Sequence, residues 1–112
     1  GPGGEALHGK GWLTAITTGG PESAYQTEGY NRFTIRQLLA PMDQTAHLCG
    51  MHFLSPFSVH GTLKLDPKTE IPQIAASYRK LLEGLRDTRL PLEKLTQWTR
   101  INDHIDLLRG DN

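Results

Sequence analysis

The sequence predicts an α/β fold in which this chain supplies part of a doubly wound parallel sheet. Two apolar segments with strand character, 12–17 and 51–60, alternate with two amphipathic segments of helical periodicity, 34–49 and 69–85. Such alternation is typical of parallel strands joined by right-handed crossovers. Two strands are too few for a parallel sheet buried on both faces, so the pattern predicts a portion of a larger sheet.

The first strand is predicted at Trp12-Leu13-Thr14-Ala15-Ile16-Thr17, a largely apolar segment with glycines on both sides. Short apolar runs of this kind are typical of buried parallel strands. The polar segment from Thr18 to Arg32 follows as a loop. A loop of this length in a compact domain indicates either a functional loop or an element that the pattern misses.

A helix is predicted to begin after Thr34, because Thr34 and Gln37 have the spacing of a capping box. Pro41 predicts a kink or a later start of the helix, and Gly50 its left-handed end. The predicted apolar face places Cys49 in the core as a buried thiol. That face consists of Ile35, Leu38, Leu39, Met42, Ala46 and Cys49.

In the second strand, Pro56 predicts a bend or an edge position. The second helix is predicted to be capped by Thr69, with Glu70 and Pro72 in its first turn. Arg79 and Lys80 are predicted to pair with Glu83. The apolar stripe of this helix consists of Ile71, Ile74, Ala75, Tyr78, Leu81, Leu82 and Leu85.

Two regions follow from this reading, a domain portion over 1–86 and a C-terminal extension over 87–112. The extension is expected to be helical and to dock on this protein or on a partner. Its apolar positions at roughly helical spacing are Leu92, Leu95, Trp98, Ile101, Ile105 and Leu108.

Composition excludes several classes of protein. The 112 residues carry 12 basic and 12 acidic side chains, interspersed and with zero net charge, so no nucleic-acid partner is expected. Cys49 is the only cysteine, which rules out a disulfide within one chain and fits a cytoplasmic protein. No apolar run has the length of a membrane span, and no signal peptide is visible.

Local motifs leave some alternatives open. His47, Cys49 and His52 invite a metal site, but their spacing crosses a helix end and no second cluster of ligands follows, so no metal is predicted. Ser23 lacks the sequence context of a nucleophile elbow. His60 ends the second strand, where it could face a pocket, although a structural role is favoured.

The segment Thr17-Thr18-Gly19-Gly20-Pro21-Glu22-Ser23-Ala24-Tyr25 resembles the loop of DT-diaphorase-type NAD(P)H:quinone oxidoreductases. The resemblance is closer to the bacterial branch that serves as ancillary subunits of glutathione-regulated potassium efflux systems. It covers roughly residues 1–86. Further matches occur in the same order, at Gly1-Pro2-Gly3-Gly4, Leu7-His8-Gly9-Lys10, Cys49-Gly50, Phe53-Leu54-Ser55-Pro56-Phe57 and His60.

The resemblance implies a partial flavodoxin-like domain that contains the C-terminal strands, four and five, with their helices. It implies FMN or FAD as cofactor, NAD(P)H as co-substrate and a small-molecule quinone as electron acceptor. In such domains the flavin phosphate lies in the loop after strand one, and no segment of this sequence matches that loop. The isolated chain is therefore expected to be inactive.

The resemblance places the site residues in the loop after the first predicted strand. Backbone N–H groups at Gly19 and Gly20 are expected to approach the flavin ring, positioned by Thr17 and Thr18. Tyr25 corresponds to a tyrosine of the family that donates a phenolic hydrogen bond. Asn31 stands where the family has a histidine, and an amide cannot take up a proton as imidazole does. Without the resemblance, Gly19-Gly20 would be an ordinary turn and Tyr25 a surface aromatic.

Three functions therefore remain open. The first is two-electron transfer from NAD(P)H through flavin to a quinone, in a cytoplasmic homodimer whose pocket includes Tyr30 and Phe33. The second is regulation of a membrane potassium efflux transporter, peripheral at the inner membrane, with the flavin as a sensor. The third is an inactive fragment that self-associates through exposed sheet edges.

Overall fold

Two pairs of short parallel strands and three helices form the framework of the computed structural model, which describes residues 3–108. The strands are β1 (Gly11–Trp12), β2 (Ala15–Thr17), β3 (His52–Phe53) and β4 (Phe57–Val59). The helices are α1 (Ile35–Leu38), α2 (Ala40–Leu48) and α3 (Glu70–Asp87). Single 3-10 helices lie at Glu22–Ala24, Thr62–Lys64, Leu92–Leu95 and Ile101–Leu108. This is the partial α/β arrangement that the sequence predicts.

Each predicted strand is interrupted, and the two interruptions lie side by side. Residues 13–14 separate β1 from β2, and residues 54–56 separate β3 from β4. Strand β1 pairs in parallel with β3, and β2 pairs in parallel with β4. Pro56 has no N–H group to donate to the ladder, and Phe57 N resumes the pairing on the Thr14 carbonyl at 2.9 Å. The expectation of two continuous strands was therefore wrong: between Phe53 and Phe57, at Pro56, the strand is interrupted.

The first predicted helix is two helices. The capping box at Thr34 and Gln37 is present in both directions. The chain leaves helical geometry at Leu39, and α2 begins next to Pro41, which lies in its first turn. Gly50 adopts the predicted left-handed conformation, with φ of 72°. Cys49 is only half-buried at the end of α2, so its prediction as a core thiol was wrong.

The start of α3 differs from the prediction. The Thr69 side chain makes no capping hydrogen bond; instead the Glu70 carboxylate accepts from Asp66 N at 3.2 Å, which holds the preceding turn. Along the predicted apolar stripe Leu81 is fully buried, but Ile71 and Leu82 are about half exposed, at 47% and 46%. The structure thus buries a narrower face of the helix than the periodicity suggests.

The predicted ion pairs on α3 are partly present. Arg79 pairs with Glu83 at 3.7 Å, as expected. Lys80 pairs with Asp106 of the C-terminal 3-10 helix at 3.5 Å instead of with Glu83. All four side chains are at least half exposed, so each pair contributes little to stability.

The buried side chains form two clusters, one on each side of the strands. The cluster under α1 and α2 contains Ile35, Leu39, Ala46 and Phe53. The cluster under α3 and the C-terminal segment contains Leu54, Phe57, Leu81, Leu95, Ile101 and Leu108. Helices therefore cover both faces of the paired strands, as in a doubly wound fold.

The C-terminal segment 92–108 covers the outer edge of β3 and β4. Ser55 N donates to the Leu95 carbonyl at 2.9 Å, and Ile101 N donates to the Pro56 carbonyl at 2.8 Å. The Asn102 side chain then bonds both backbone groups of Ser58, accepting from its N–H at 3.0 Å and donating to its carbonyl at 2.9 Å. Asn102 thus acts as the neighbouring strand would, and the edge is protected.

The other edge of the strands is open. Within residues 3–108, β1 and β2 pair with a strand on one side only. Unpaired strand edges expose backbone donors and acceptors that readily pair with a further strand.

No helix in the described part of the chain is both long and apolar enough to span a bilayer.

Replacing Asn102 by alanine is expected to destabilise the fold by about 1–3 kcal/mol, because both backbone groups of the buried Ser58 lose their partner. Urea unfolding followed by circular dichroism measures the change. Gln97→Ala, at an exposed position of the same segment, is the control and should be nearly neutral. Equal stability of the two variants would contradict the role given to Asn102.

Candidate functional site

Hydrogen bonds continue beyond the carboxyl ends of β2 and β4 and tie the two following loops together. Thr18 N donates to the Val59 carbonyl at 2.9 Å, and Thr62 N donates to the Thr18 carbonyl at 3.1 Å. Gly61 N donates to the Gly20 carbonyl at 2.8 Å. The Thr18 hydroxyl donates to the same carbonyl at 3.0 Å. The loop after β2 is therefore fixed against the end of β4.

This arrangement determines where the N–H group of Gly19 points. In a planar trans peptide the carbonyl and the N–H point in opposite directions. Because the Thr18 carbonyl points toward Thr62, the Gly19 N–H points away from β4. Within residues 3–108 neither Gly19 N–H nor Gly20 N–H donates a hydrogen bond to a protein group. Two backbone donors thus remain for a ligand at this edge.

The space beside Gly19 is also open. Among the described residues, no heavy atom lies within 4 Å of the position that a Cβ on Gly19 would occupy, and its φ is not positive. A flat ligand can approach the backbone here without meeting a side chain. At Gly20 a Cβ would lie 3.6 Å from the Tyr25 ring, an ordinary van der Waals contact.

His60 joins the two loops through its side chain. Its Nδ1 lies 2.8 Å from the Thr18 hydroxyl oxygen. That hydroxyl has one hydrogen and lies 3.0 Å from the Gly20 carbonyl. All the bonds are satisfied when the hydroxyl donates to Gly20 and accepts from Nδ1–H of His60. The Nε2 atom of His60 then carries the free lone pair.

Tyr25 lies beside the same histidine. The two ring centroids are 5.5 Å apart, with an angle of 31° between the planes. The chain turns sharply after Tyr25, and Gly29 packs so closely on the Ser23 carbonyl that a Cβ there would clash with it. The 3-10 helix and this turn hold the tyrosine against the loop of Gly20.

Asn31 and Tyr25 line one cavity of about 580 Å³ together with Gly20 and Tyr30. The Asn31 backbone N–H donates to the Ala24 carbonyl at 2.9 Å, which fixes its position. Tyr30 is 93% exposed, so the cavity is open on that side. Of the residues predicted to bind a cofactor, Thr18, Gly19, Gly20 and Tyr25 meet at this loop, and Thr17 is exposed at the end of β2.

Burial lowers the pKa of His60 below its ordinary value of 6.5. The carboxylate of Glu22 acts in the opposite direction, and the guanidinium of Arg100 adds to the lowering. The neutral form of His60 is therefore favoured at pH 7. Arg100 itself is held by Asp103, with which it forms two hydrogen bonds of 3.1 and 3.2 Å.

His60 has a more central place than its sequence context predicts. It lines a cavity of about 260 Å³ with Tyr25 and Arg36, and a second of about 600 Å³ with Arg100 and Glu22. One signal pointed to it: parallel strands end at the same edge of a sheet, so residues that follow two neighbouring strands meet there. Thr18 follows β2 and His60 follows β4.

The histidines near Cys49 do not form a metal site in the described part of the chain. Among residues 3–108, no group of three His, Cys, Asp or Glu side chains is placed to hold a metal ion.

Comparison with known proteins places these features in context. Residues 1–82 match the model of the Flavodoxin_2 family, which is described as having a flavodoxin-like fold. The glutathione-regulated potassium-efflux system ancillary protein KefG of Serratia proteamaculans is 48% identical over 68 residues, 61% of this chain and 37% of that protein. The uncharacterized NAD(P)H oxidoreductase YdeQ of Bacillus subtilis is 34% identical over 108 residues, 96% of this chain and 53% of that protein. The chain spans about half or less of the length of these relatives.

Solved structures share the fold. General stress protein 14 of Treponema denticola, in complex with FMN, has a TM-score of 0.65 and 26% identity, covering 72% of this chain and 45% of that one. A protein of P. pentosaceus described as an NADPH-quinone reductase has a TM-score of 0.54 and 29% identity, covering 62% and 41%. A chain from Streptomycin violaceusniger described as a thermophilic tryptophan halogenase has a TM-score of 0.62 and 34% identity, covering 68% and 44%. Because two of these names denote different reactions and the third denotes none, the likeness by itself identifies no substrate.

The lowered pKa of His60 predicts a loss of stability in acid. As the pH falls below 6.5, the unfolded chain binds a proton on His60 that the folded chain resists, so the free energy of unfolding decreases until the folded-state pKa is reached. His60→Asn is expected to reduce this dependence, and the exposed His47→Asn is the control. Thermal melts between pH 7.5 and 5 measure how stability depends on pH. The same decrease of Tm with falling pH in wild type and in His60→Asn would contradict the assignment of this dependence to His60.

Proposed function

The chain belongs to the flavodoxin-like family whose model it matches over residues 1–82, and from this premise we propose that it forms one wall of the flavin site of an NAD(P)H oxidoreductase. The observation that carries the proposal is the loop 18–20, which presents two N–H groups with no protein partner beside an open surface. Similarity to YdeQ and to the FMN-containing stress protein supports a flavin and a nicotinamide co-substrate.

The residues present fit a flavin ring at this edge. A bound flavin supplies the capacity to accept two electrons as hydride and to pass them to an acceptor. The N–H groups of Gly19 and Gly20 would hydrogen-bond the ring where negative charge accumulates on reduction, which favours the reduced form. Thr17 and Thr18 would fix the loop that carries these donors.

Tyr25 and Asn31 are the proposed catalytic residues. Both line the cavity of about 580 Å³ next to Gly20. The Tyr25 hydroxyl and the Asn31 amide can each donate a hydrogen bond to a substrate in that cavity. Asn31 orients and does not exchange protons, so proton delivery depends on other groups or on water.

A small quinone is the proposed electron acceptor, and FMN or FAD the cofactor. The NADPH-quinone reductase among the similar structures supports the acceptor. The cavity is open at Tyr30, and a second subunit of a homodimer would close it there. The open edge of β1 and β2 offers a place for further strands of the sheet.

A second candidate is regulation of a potassium efflux transporter. Its support is the similarity to KefG proteins of several bacteria, for example 48% identity in Serratia proteamaculans and 42% in Enterobacter. In this role binding to the transporter is the function, the flavin senses the redox state, and the protein lies at the membrane that holds the transporter.

Two assays on the full-length protein separate these functions. A quinone-dependent oxidation of NADH or NADPH that requires added flavin supports the reductase. Retention of a potassium efflux transporter in a pull-down, without quinone reduction, supports the regulatory subunit. A full-length protein that binds neither FMN nor FAD would refute the flavin site common to both.

Replacing Gly19 by leucine in the full-length protein is expected to weaken flavin binding at least about tenfold, equivalent to about 1.4 kcal/mol. Among the described residues, a Cβ at Gly19 would have no neighbouring protein atom within 4 Å and the backbone φ is not positive, so folding should be little affected. Flavin fluorescence titration measures the affinity, and Gly19→Ala should give a smaller effect. Unchanged affinity in Gly19→Leu would place the ring elsewhere.

A further inference from the structure

We infer that His60 is a positioning residue for the flavin site, acting through its hydrogen bond to Thr18 to fix the direction of the donors at Gly19 and Gly20. The inference rests on the proposed function and adds to it a residue from the next strand end. Its basis is the 2.8 Å contact between His60 Nδ1 and the Thr18 hydroxyl, which links residues 42 positions apart.

The hydrogen-bond pattern shows why the histidine matters for the loop. The Gly20 carbonyl accepts from Gly61 N at 2.8 Å and from the Thr18 hydroxyl at 3.0 Å. Because the Thr18 hydroxyl uses its one hydrogen on Gly20, Nδ1–H of His60 donates to the hydroxyl oxygen, and this bond holds the hydroxyl in the rotamer that points at Gly20. Without His60 the hydroxyl is free to rotate, and the carbonyl loses a partner that holds the turn.

Pro21 makes the loop depend on this carbonyl. The peptide between Gly20 and Pro21 has no N–H group, so its only hydrogen bonds are those of the Gly20 carbonyl. Two consecutive glycines give the backbone more freedom than other residues, and fixing them therefore requires external contacts. The hydrogen bond between Thr18 and His60 supports such a contact, the bond from the Thr18 hydroxyl to the Gly20 carbonyl.

The surroundings of His60 keep the imidazole in place. Tyr25 lies against it, with ring centroids 5.5 Å apart. Glu22 and Arg100 are the charged groups that act on it, and Arg36 lines the same cavity while donating to the Trp98 carbonyl at 3.2 Å. These contacts restrict the ring so that Nδ1 stays directed at Thr18.

A double-mutant cycle in the full-length protein tests the inference, with flavin affinity and the midpoint potential of the bound flavin as readouts. His60→Leu and Thr18→Val each remove the hydrogen bond, and each is expected to weaken flavin binding about five- to tenfold. The double variant is expected to bind no more weakly than the single variants, because all three lack the same bond. The midpoint potential should fall, since misdirected donors stabilise the reduced ring less.

Conservative variants distinguish positioning from a general loss of structure. His60→Asn keeps an N–H donor near the Nδ1 position and Thr18→Ser keeps the hydroxyl, so both should retain affinity within about twofold. Additive losses in the cycle, or wild-type affinity and potential in His60→Leu, would overturn the inference while leaving the flavin site intact. A wild-type protein that binds no flavin would refute the proposed function and the inference with it.

Discussion

The hydrogen bonding that continues past the ends of β2 and β4 is the constraint on which the site depends. Parallel pairing fixes Thr17 opposite Val59, and the bonds from Thr62 and Gly61 carry the pairing into the loops. Because the Thr18 carbonyl points toward Thr62, the Gly19 N–H of the same peptide points away from β4. The donors of the proposed flavin site are therefore a consequence of sheet pairing and not of loop sequence alone.

The two edges of the strands differ in a way that bears on function. The C-terminal segment covers the outer edge, with Leu95, Ile101 and Leu108 fully buried and Asn102 bonded to Ser58. The opposite edge, formed by β1 and β2, is unpaired in the described residues. In open α/β sheets, ligands bind in the crevice outside the carboxyl ends of the strands. The loop of Gly19 lies at that end, next to the edge where a further strand would pair.

Much of this arrangement could be predicted from the sequence, because the signals were local. The capping box at Thr34 and the left-handed Gly50 depend on one or a few neighbouring residues. The absent cap at Thr69 was not predictable, since the Asp66 carbonyl accepts from the first N–H groups of α3, those of Glu70 and Ile71. The partial exposure of Cys49, Ile71 and Leu82 depends on which elements pack against each helix, and periodicity alone does not specify that.

The candidate site was likewise predictable where its signal was local and not where it depended on residues distant in sequence. The resemblance at Thr17-Thr18-Gly19-Gly20 indicated the loop, while the residue that holds it lies 42 positions from Thr18. His60 is among the positions that match the family, but its sequence neighbours do not indicate a contact with the loop, and the parallel register brings it to Thr18 and Tyr25. The assignment of roles to Tyr25 and Asn31 remains a prediction from the resemblance and from their shared cavity.

The most direct test of the flavin wall is a pair of ¹H–¹⁵N spectra of the full-length protein, with and without FMN. The account predicts large shifts for the amides of Gly19 and Gly20, which face the ring as donors. Little change is expected for Gly84 of α3, which packs against Leu108 of the C-terminal 3-10 helix. If FMN binds and the Gly19 and Gly20 amides do not move, the loop after β2 is not the flavin wall and the account is wrong.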